Sequence, residues 1–236
     1  MKGKKVRVKV KKKKLNIKKI IIALLFILLI ISSIIYIKNL PVKNIYIIGN
    51  NLISDKEIIE MSRLENYPSF IGTYFSNIKE NLKKNEYIKN VKIERKIPGK
   101  IYITIEEEKP LFIYNNKLSL TGNKLVDNKY NIDYVPYIKG NIDDVYEKFE
   151  EKFSLVSKEI QLKISEIEYK PNEIDKERFL FTMIDSNYVY INISRMEKIN
   201  KYNTIVNELE GKKGIIHLDS GDYIEIKDWQ PIKLII

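Results

Sequence analysis

Three adjacent glutamates, Glu106, Glu107 and Glu108, are the first residues whose type and spacing could do chemistry. A pair of carboxyl groups can cleave a glycosidic bond, one acting as acid and the other as base or nucleophile. Successive residues of a strand point to opposite faces, however, so neighbouring glutamates do not flank one bond. The surrounding sequence also offers no apolar pocket to tune either acid. We therefore interpret the three glutamates as charges that keep this stretch soluble and discourage stray strand pairing.

The remaining chemistry-bearing residues are few. His217 is the single histidine and lies between two aliphatic residues of a predicted strand, where we expect it to face solvent. The Ser-x-x-Lys pattern of residues 76–79 matches a motif of penicillin-binding enzymes, but no Lys-Thr-Gly follows it. The chain has no cysteine, and a zinc site would need carboxylates at a spacing that is missing. We therefore predict no catalytic residue, metal, cofactor or small-molecule substrate.

The basic excess of the chain lies at its N-terminus. The formal net charge is +11, and eleven of the 42 Lys and Arg residues fall within residues 1–19, which contain no acid. The other 31 are balanced by 31 Asp and Glu. The body therefore carries no electrostatic footprint for nucleic acid. Membrane topology and attraction to anionic lipid explain the tail.

Residues 20–37 form a run of 18 residues without a charge. As a helix this run is about 27 Å long, close to the roughly 30 Å hydrocarbon core of a bilayer. It lacks the polar face of a buried core helix. It is also too long for a cleaved signal peptide and has no small-x-small site after it. We predict an uncleaved transmembrane helix flanked by Lys18, Lys19 and Lys38, with the basic tail in the cytoplasm.

The segment after the membrane run predicts a strand, two helices and a hairpin. Residues 42–48 alternate as a strand, and a helix ending near residue 63 follows. Its start carries a capping box and a hydrophobic staple, formed by Ser54, Glu57, Ile53 and Ile58. A second helix presents Phe75, Ile78 and Leu82 on one face. Residues 91–97 and 101–105 then alternate around a Pro-Gly turn, which predicts a hairpin.

Beyond residue 110 the pattern changes to shorter strands with a few helices. Strands are predicted at residues 111–114, 118–120, 164–169, 179–184, 188–193, 215–218 and 223–226. Apolar spacing predicts one helix through residues 145–160 and another through 196–209, while 135–140 reads as an extended loop. These elements together predict an α+β protein dominated by an antiparallel sheet.

Four segments carry a resemblance to a known family. They are VKNIYIIGNNLISDKEI, YIKNVKIERKIPGKIYITIEEEKP, YVPYIKG and KKGIIHLDSGDYIEIKDW, in this order along the chain. They resemble the FtsQ/DivIB family of bitopic bacterial cell-division proteins, with Arg95, Pro98, Ile103, Glu107 and Pro110 at matching places. The resemblance implies a POTRA domain at 41–109, a mainly antiparallel β domain with flanking helices at 110–230 and a tail at 231–236. Arg95, Pro98, Glu107 and Pro110 are expected to mark the POTRA-to-β junction.

The resemblance also implies a function. Members of the family are non-enzymatic scaffolds at the division septum that help control septal peptidoglycan synthesis. The implied partners are divisome membrane proteins of the FtsB/DivIC and FtsL type and the septal peptidoglycan synthases. The lipid bilayer holds the single span, with the C-terminal domains outside the cell membrane.

The terminal hairpin is the expected partner-binding edge, since an open sheet edge can accept a partner segment as an added strand. The residues assigned to it are Tyr223, Ile224, Glu225, Ile226, Lys227 and Trp229. The simpler interpretation is that Tyr223 and Trp229 only cap the sheet.

Two other functions stay open at this point. A membrane-anchored cell-wall enzyme should cleave peptidoglycan. An anchored extracytoplasmic sensor should have a ligand-sized pocket, and an envelope-transport protein usually carries tandem POTRA repeats, whereas one copy is recognisable here.

Overall fold

The computed structural model describes residues 16–227. Its α-helices are α1 (Ile17–Lys38), α2 (Asp55–Ser62), α3 (Phe75–Leu82), α4 (Tyr146–Phe153), α5 (Lys158–Gln161) and α6 (Tyr202–Glu208). Two 3-10 helices cover Asp143–Val145 and Ile193–Lys201.

The strands fall into two sheets. The first sheet contains β1 (Asn44–Ile48), β2 (Ile88–Lys96) and β3 (Lys100–Glu107). The second contains β4 (Pro110–Tyr114), β5 (Lys117–Leu120), β6 (Lys124–Asp127), β7 (Tyr137–Lys139), β8 (Ile164–Tyr169), β9 (Arg178–Met183), β10 (Tyr188–Asn192), β11 (Lys213–His217) and β12 (Tyr223–Lys227).

Helix α1 is 22 residues long and apolar on all sides, with every residue exposed. Its length of about 33 Å matches the hydrocarbon core of a bilayer. It is the one helix of the described chain that is long and apolar enough to cross a membrane. Lys18 and Lys19 lie in its first turn, and Lys38 is its last residue.

Helix α2 begins directly after Ser54, the N-cap residue predicted from the sequence. The Ser54 hydroxyl accepts a hydrogen bond from the Glu57 backbone N–H at 3.2 Å, so the N-cap is confirmed. Ile53 and Ile58 are both buried, as a hydrophobic staple requires. The helix ends at Arg63, whose φ of 57° is left-handed. The Glu57 carboxylate, in contrast, accepts a hydrogen bond from the Tyr130 hydroxyl at 3.0 Å and ties this helix to a distant loop.

The first sheet has the strand order β1-β3-β2. β2 and β3 form the expected hairpin. β1 pairs with β3 in parallel, because α2 and α3 carry the chain from one end of the sheet back to the other. The two helices cover one face of the sheet, where Ile58, Ile78 and Leu82 are buried with Ile101 and Ile103.

The second sheet has nine strands in the order β12-β11-β10-β9-β8-β7-β4-β5-β6. Five neighbouring pairs are antiparallel and three are parallel. Helix α4 lies over its centre, where Phe149 and Phe153 pack with Phe112, Phe179 and Phe181. The predicted α+β class with a mainly antiparallel sheet is therefore confirmed.

Several local predictions were wrong. β6 had not been predicted as a strand, and residues 137–139, expected in a loop, form β7 between β4 and β8. The helix expected through 145–160 is broken between Phe153 and Lys158. The helix expected through 196–209 is a 3-10 helix up to Lys201 and an α-helix only after it. Apolar spacing predicted which residues are buried in these helices, but not where each helix ends.

Candidate partner-binding edge

Strand β12 forms one edge of the nine-stranded sheet, and within residues 16–227 no further strand pairs with its outer side. It pairs antiparallel with β11, in a register that sets Tyr223 opposite His217 and Ile226 opposite Gly214. An edge strand presents unpaired N–H and C=O groups outward. β12 is therefore a template to which an extended segment can add.

The residues of β12 differ in burial. Ile224 is half-buried and packs against the core of the sheet. Ile226 lies on the same face as Ile224 and is 52% exposed, whereas Tyr223, which is 48% exposed, and the exposed Glu225 lie on the other face. The strand therefore combines an anchor to the core with apolar surface that a partner can cover.

Four side chains stack across four strands on one face of the sheet near this edge. The Arg178 guanidinium lies 3.7 Å from the Tyr190 ring centroid. The His217 ring lies 5.2 Å from Tyr190 on one side and 4.3 Å from Tyr223 on the other. Since β9, β10, β11 and β12 each contribute one member, the stack fixes β12 to the body of the sheet.

His217 is therefore buried, at 8% exposure, and the expectation that it faces solvent was wrong. Tyr190 and Tyr223 cover its two faces, a cross-strand effect that the alternation within its own strand did not reveal. Its Nδ1 lies 3.6 Å from an Asp219 oxygen and its Nε2 lies 3.4 Å from a Glu225 oxygen. The Nε2 atom is buried and makes no hydrogen bond of good geometry with the described residues.

Asp219 forms an ion pair with Arg178, the first member of this stack. Its carboxylate accepts a hydrogen bond from Arg178 Nε at 2.6 Å, and both side chains are largely buried. Burial alone would raise the pKa of Asp219, but the hydrogen bond and charge of Arg178, together with hydrogen bonds from backbone N–H groups, outweigh it. The pKa of this carboxyl therefore lies below its usual range.

Gly214 allows β11 and β12 to approach closely. A Cβ at this position would lie 2.4 Å from the backbone oxygen of Glu225. The contact is with backbone, which cannot turn aside as a flexible side chain can. A glycine is therefore required for β12 to pair at this register.

The opposite edge of the same sheet, β6, is contacted by residues 86 and 87, which directly precede β2 of the first sheet. The Tyr87 hydroxyl donates to the Asp127 backbone oxygen at 2.7 Å, and Lys124 Nζ donates to the Glu86 backbone oxygen at 3.2 Å. Val126 is buried in the same apolar cluster as the core of the first sheet. Of the two edges of this sheet, β12 is the one that no described residue of the first sheet contacts through a hydrogen bond.

The glutamates between the two sheets have structural roles, which corrects the interpretation that all three are solubilising charge. Glu107 accepts hydrogen bonds from the backbone N–H groups of Asn51, Leu52 and Ile53 at 2.9 to 3.1 Å. It thereby fastens the end of β3 to the loop before α2. Glu106 alone fits the original interpretation, since it forms an exposed ion pair with Lys89.

Glu108 is buried at the point where the chain passes from one sheet to the other. Its two oxygens accept hydrogen bonds from Lys124 Nζ at 2.9 Å and from the Thr121 hydroxyl at 2.6 Å. Pro110, two residues on, is the first residue of β4 and lies opposite Leu120 of β5. Glu107 and Pro110 therefore lie together between the sheets.

Arg95 and Pro98 do not lie at this junction, so their assignment to it was wrong. They belong to the turn end of the β2–β3 hairpin, and β3 then runs eight residues, about 26 Å, to Glu107. Arg95 donates to the Thr73 backbone oxygen, and its guanidinium lies 4.4 Å from the Phe75 ring centroid. The spacing of Arg95 and Pro98 from Glu107 matched the family pattern. In the folded hairpin, however, Arg95 and Pro98 lie at the turn end of β3 and Glu107 lies at its other end.

Trp229 lies outside the described residues, as do residues 1–15 of the basic tail and the segment 231–236. The expected edge is therefore described for five of its six residues, Tyr223, Ile224, Glu225, Ile226 and Lys227.

The chain matches known proteins over most of its length. Residues 40–108 match the family model described as "POTRA domain, FtsQ-type". The cell division protein DivIB of Brevibacillus brevis is 27% identical over 191 residues, covering 75% of this chain and 71% of the relative. DivIB of Bacillus subtilis is 27% identical over 193 residues, covering 78% and 73%. The solved major extracytoplasmic domain of DivIB from Geobacillus stearothermophilus covers 44% of this chain and 96% of that chain, at 18% identity and a TM-score of 0.37.

Proposed function

Because the chain belongs to the FtsQ/DivIB family of cell-division proteins, we propose that it is a non-enzymatic scaffold of the division machinery. It holds septal membrane proteins together and helps control septal peptidoglycan synthesis through protein–protein contacts. α1 crosses the cell membrane with the N-terminus in the cytoplasm, and the two sheets lie outside, at the division septum. Residues 41–109 act as the POTRA domain and residues 110–230 as the β domain, with a tail at 231–236.

The observation that carries this proposal is the difference between the two edges of the nine-stranded sheet. Neither edge strand pairs with a further described strand, but β6 makes hydrogen bonds with residues 86 and 87, whereas no such hydrogen bond reaches the outer side of β12 from the described residues. The β12 edge is anchored internally by the His217–Tyr223 stack and by Ile224. An edge that is both anchored and open is suited to strand addition by a partner, since an acceptor strand that is already formed lowers the ordering cost of binding.

The partners we propose for this edge are the FtsB/DivIC and FtsL type of divisome membrane protein, with the septal peptidoglycan synthases brought in through them. Main-chain pairing along residues 223–227 supplies the affinity, and Tyr223 and Ile226 supply apolar contacts. Trp229 continues this surface in the proposal as an anchoring side chain.

The glutamates argue against a cell-wall hydrolase. Glu107 uses its carboxylate to hold three backbone N–H groups. Glu108 is occupied by Lys124 and Thr121. Neither is left free to face a sugar, so a scaffold role fits the geometry better.

The test is a binding measurement with the full chain and an FtsB/DivIC-type partner. Ile226→Pro removes an outward-facing backbone donor of the edge and is expected to abolish binding, whereas Ile226→Ala keeps the backbone and weakens binding less. In cells, the proline variant should leave filaments that fail to divide. Unchanged affinity of the proline variant, or uniform placement of the protein around the envelope with normal division after depletion, would contradict the proposal.

Matched side-chain variants separate the edge from the general surface. Ile226→Glu places a charge on β12, and Ile174→Glu makes the same change in a loop where the side chain is 97% exposed. Only the first variant should lose affinity for the partner. Equal loss in both would point to a nonspecific charge effect.

A further inference from the structure

Four large side chains are exposed at the turn end of the first sheet. They are Tyr67, Ile71, Tyr74 and Ile97. Ile97 is 86% exposed although it follows directly on a strand. Large apolar side chains lose free energy when they are exposed to water, so a group of them in one region indicates a surface that binds a protein or a membrane.

These residues belong to two loops that meet around one short segment. Val42 N–H donates to the Pro68 backbone oxygen at 2.9 Å, and Phe70 N–H donates to the Leu40 oxygen at 2.7 Å. On the other side, Lys43 N–H donates to the Gly99 oxygen at 2.7 Å. Residues 40–43 are therefore held between the loop that carries Tyr67, Ile71 and Tyr74 and the turn that carries Ile97.

The same segment begins two residues after the membrane helix. α1 ends at Lys38, whose backbone oxygen accepts a hydrogen bond from the Ser69 hydroxyl. Three residues of chain reach at most about 11 Å, so the segment and both loops lie against the end of α1. Any bilayer that holds α1 therefore lies next to these four side chains.

We propose that Tyr67, Ile71, Tyr74 and Ile97 form a membrane-seating surface that inserts into the interface of the bilayer holding α1. The inference rests on the proposed function only in that α1 spans a membrane. Tyrosine favours the membrane–water interface, where its ring is buried and its hydroxyl stays wet. Lys43, Lys96 and Lys100 surround the turn that carries Ile97 and place positive charge beside lipid phosphates.

The consequence is an orientation for the whole outer part of the protein. α1 alone permits rotation of the domains about the helix end, whereas a second contact with the bilayer fixes the first sheet on the membrane. The opposite end of that sheet, with Glu107 and the second sheet, is then directed away from the lipid.

The experiment uses the full chain in phosphatidylcholine vesicles. The chain has no cysteine, so Ile97→Cys and Tyr74→Cys each accept a single small fluorophore. Lipids that carry a nitroxide near the headgroup should quench both labels. Ile174→Cys, on a fully exposed loop of the second sheet, is the matched control and should keep its fluorescence.

Two further variants make the outcome decisive. Leu28→Cys, in the middle of α1, should be quenched by a nitroxide placed deep in the acyl chain. Adding Ile97→Asp to Tyr74→Cys should reduce the quenching at position 74, since the native apolar side chain contributes to seating. Quenching at 28 but not at 97 and 74 would overturn the seating surface and leave the proposed function intact. Absence of quenching at 28 would overturn both.

Discussion

The two edges of the nine-stranded sheet are treated in opposite ways. β6 is bonded to residues 86 and 87, and its Val126 is buried with the core of the first sheet. β12 is stacked onto its own neighbour strand and leaves its outer side open within the described residues. Exposed edges invite unwanted pairing. This difference between β6 and β12 supports the proposed binding of a partner at β12.

The same charge placed on each edge in turn should destabilise the protein by different amounts. Val126→Asp buries a carboxylate at a side chain that is 3% exposed, and we expect it to cost about 3–5 kcal/mol. Ile226→Asp, at the half-exposed edge, should change stability by no more than about 1 kcal/mol. Urea denaturation of the full chain in detergent measures both. Equal costs would show that the two edges are equally buried.

A substitution of Glu108 measures how much a buried polar contact near β6 stabilises the protein. Removing it in Glu108→Ala leaves Lys124 and Thr121 without their buried acceptor. Because Lys124 is itself one-third exposed, we expect a loss of about 1–3 kcal/mol, below that for breaking a fully buried pair. Glu106→Ala removes only the exposed pair with Lys89 and should leave the denaturation midpoint unchanged. A larger loss in Glu106→Ala than in Glu108→Ala would reverse the roles of the two carboxylates.

Gly214→Ala tests the open edge without touching the covered one. Its new Cβ would collide with the Glu225 backbone oxygen, so β12 should separate from β11 at a local cost of about 1–3 kcal/mol. Hydrogen exchange should show faster exchange in residues 223–227 and unchanged protection in β2 and β3. Gly211→Ala is the control, since a Cβ there meets no atom and only the left-handed φ of 83° is strained. Protection of β12 that survives Gly214→Ala would contradict the close pairing described here.

Substitution of Asp219 should cause the smallest loss of stability, and the size of this loss should depend on pH. Its pKa is lowered in the folded protein, because the ion pair with Arg178 and backbone hydrogen bonds together outweigh the effect of burial. Its stabilising contribution is therefore complete above the ordinary aspartate pKa of about 3.9 and is lost as the pH falls through the lower folded value. Asp219→Asn should be less stable than the wild type at neutral pH, and this difference should shrink in acid. A difference that stays constant with pH would mean that Asp219 does not act through its charge.

The membrane helix and the helix that follows it could be predicted because the sequence features that specify them are local. The 18 uncharged residues before Lys38 predicted α1, and Ser54 with Ile53 and Ile58 predicted the start of α2. Backbone capping and apolar periodicity act over a few residues, so the sequence displays them directly.

What could not be predicted depends on contacts between distant residues. His217 looked exposed because the rings that cover it come from β10 and β12. Glu107 looked like surface charge because its three donors lie more than fifty residues earlier. At the candidate site, residues 223–226 were predicted as a strand and the terminal hairpin as an open edge, but the sequence did not show that β6, at the opposite edge, contacts residues 86 and 87.

Pairing of β12 with a partner strand can be measured directly by disulfide cross-linking. Glu225→Cys gives the full chain one exposed cysteine on β12, and a series of single cysteines is placed along the partner's extracytoplasmic segment. Strand addition sets residues opposite one another with Cβ atoms about 5 Å apart, so disulfide yield should peak at one position and recur weakly two residues away. A series in which yield is uniform, or rises every three to four residues as on a helix, would contradict docking by strand addition.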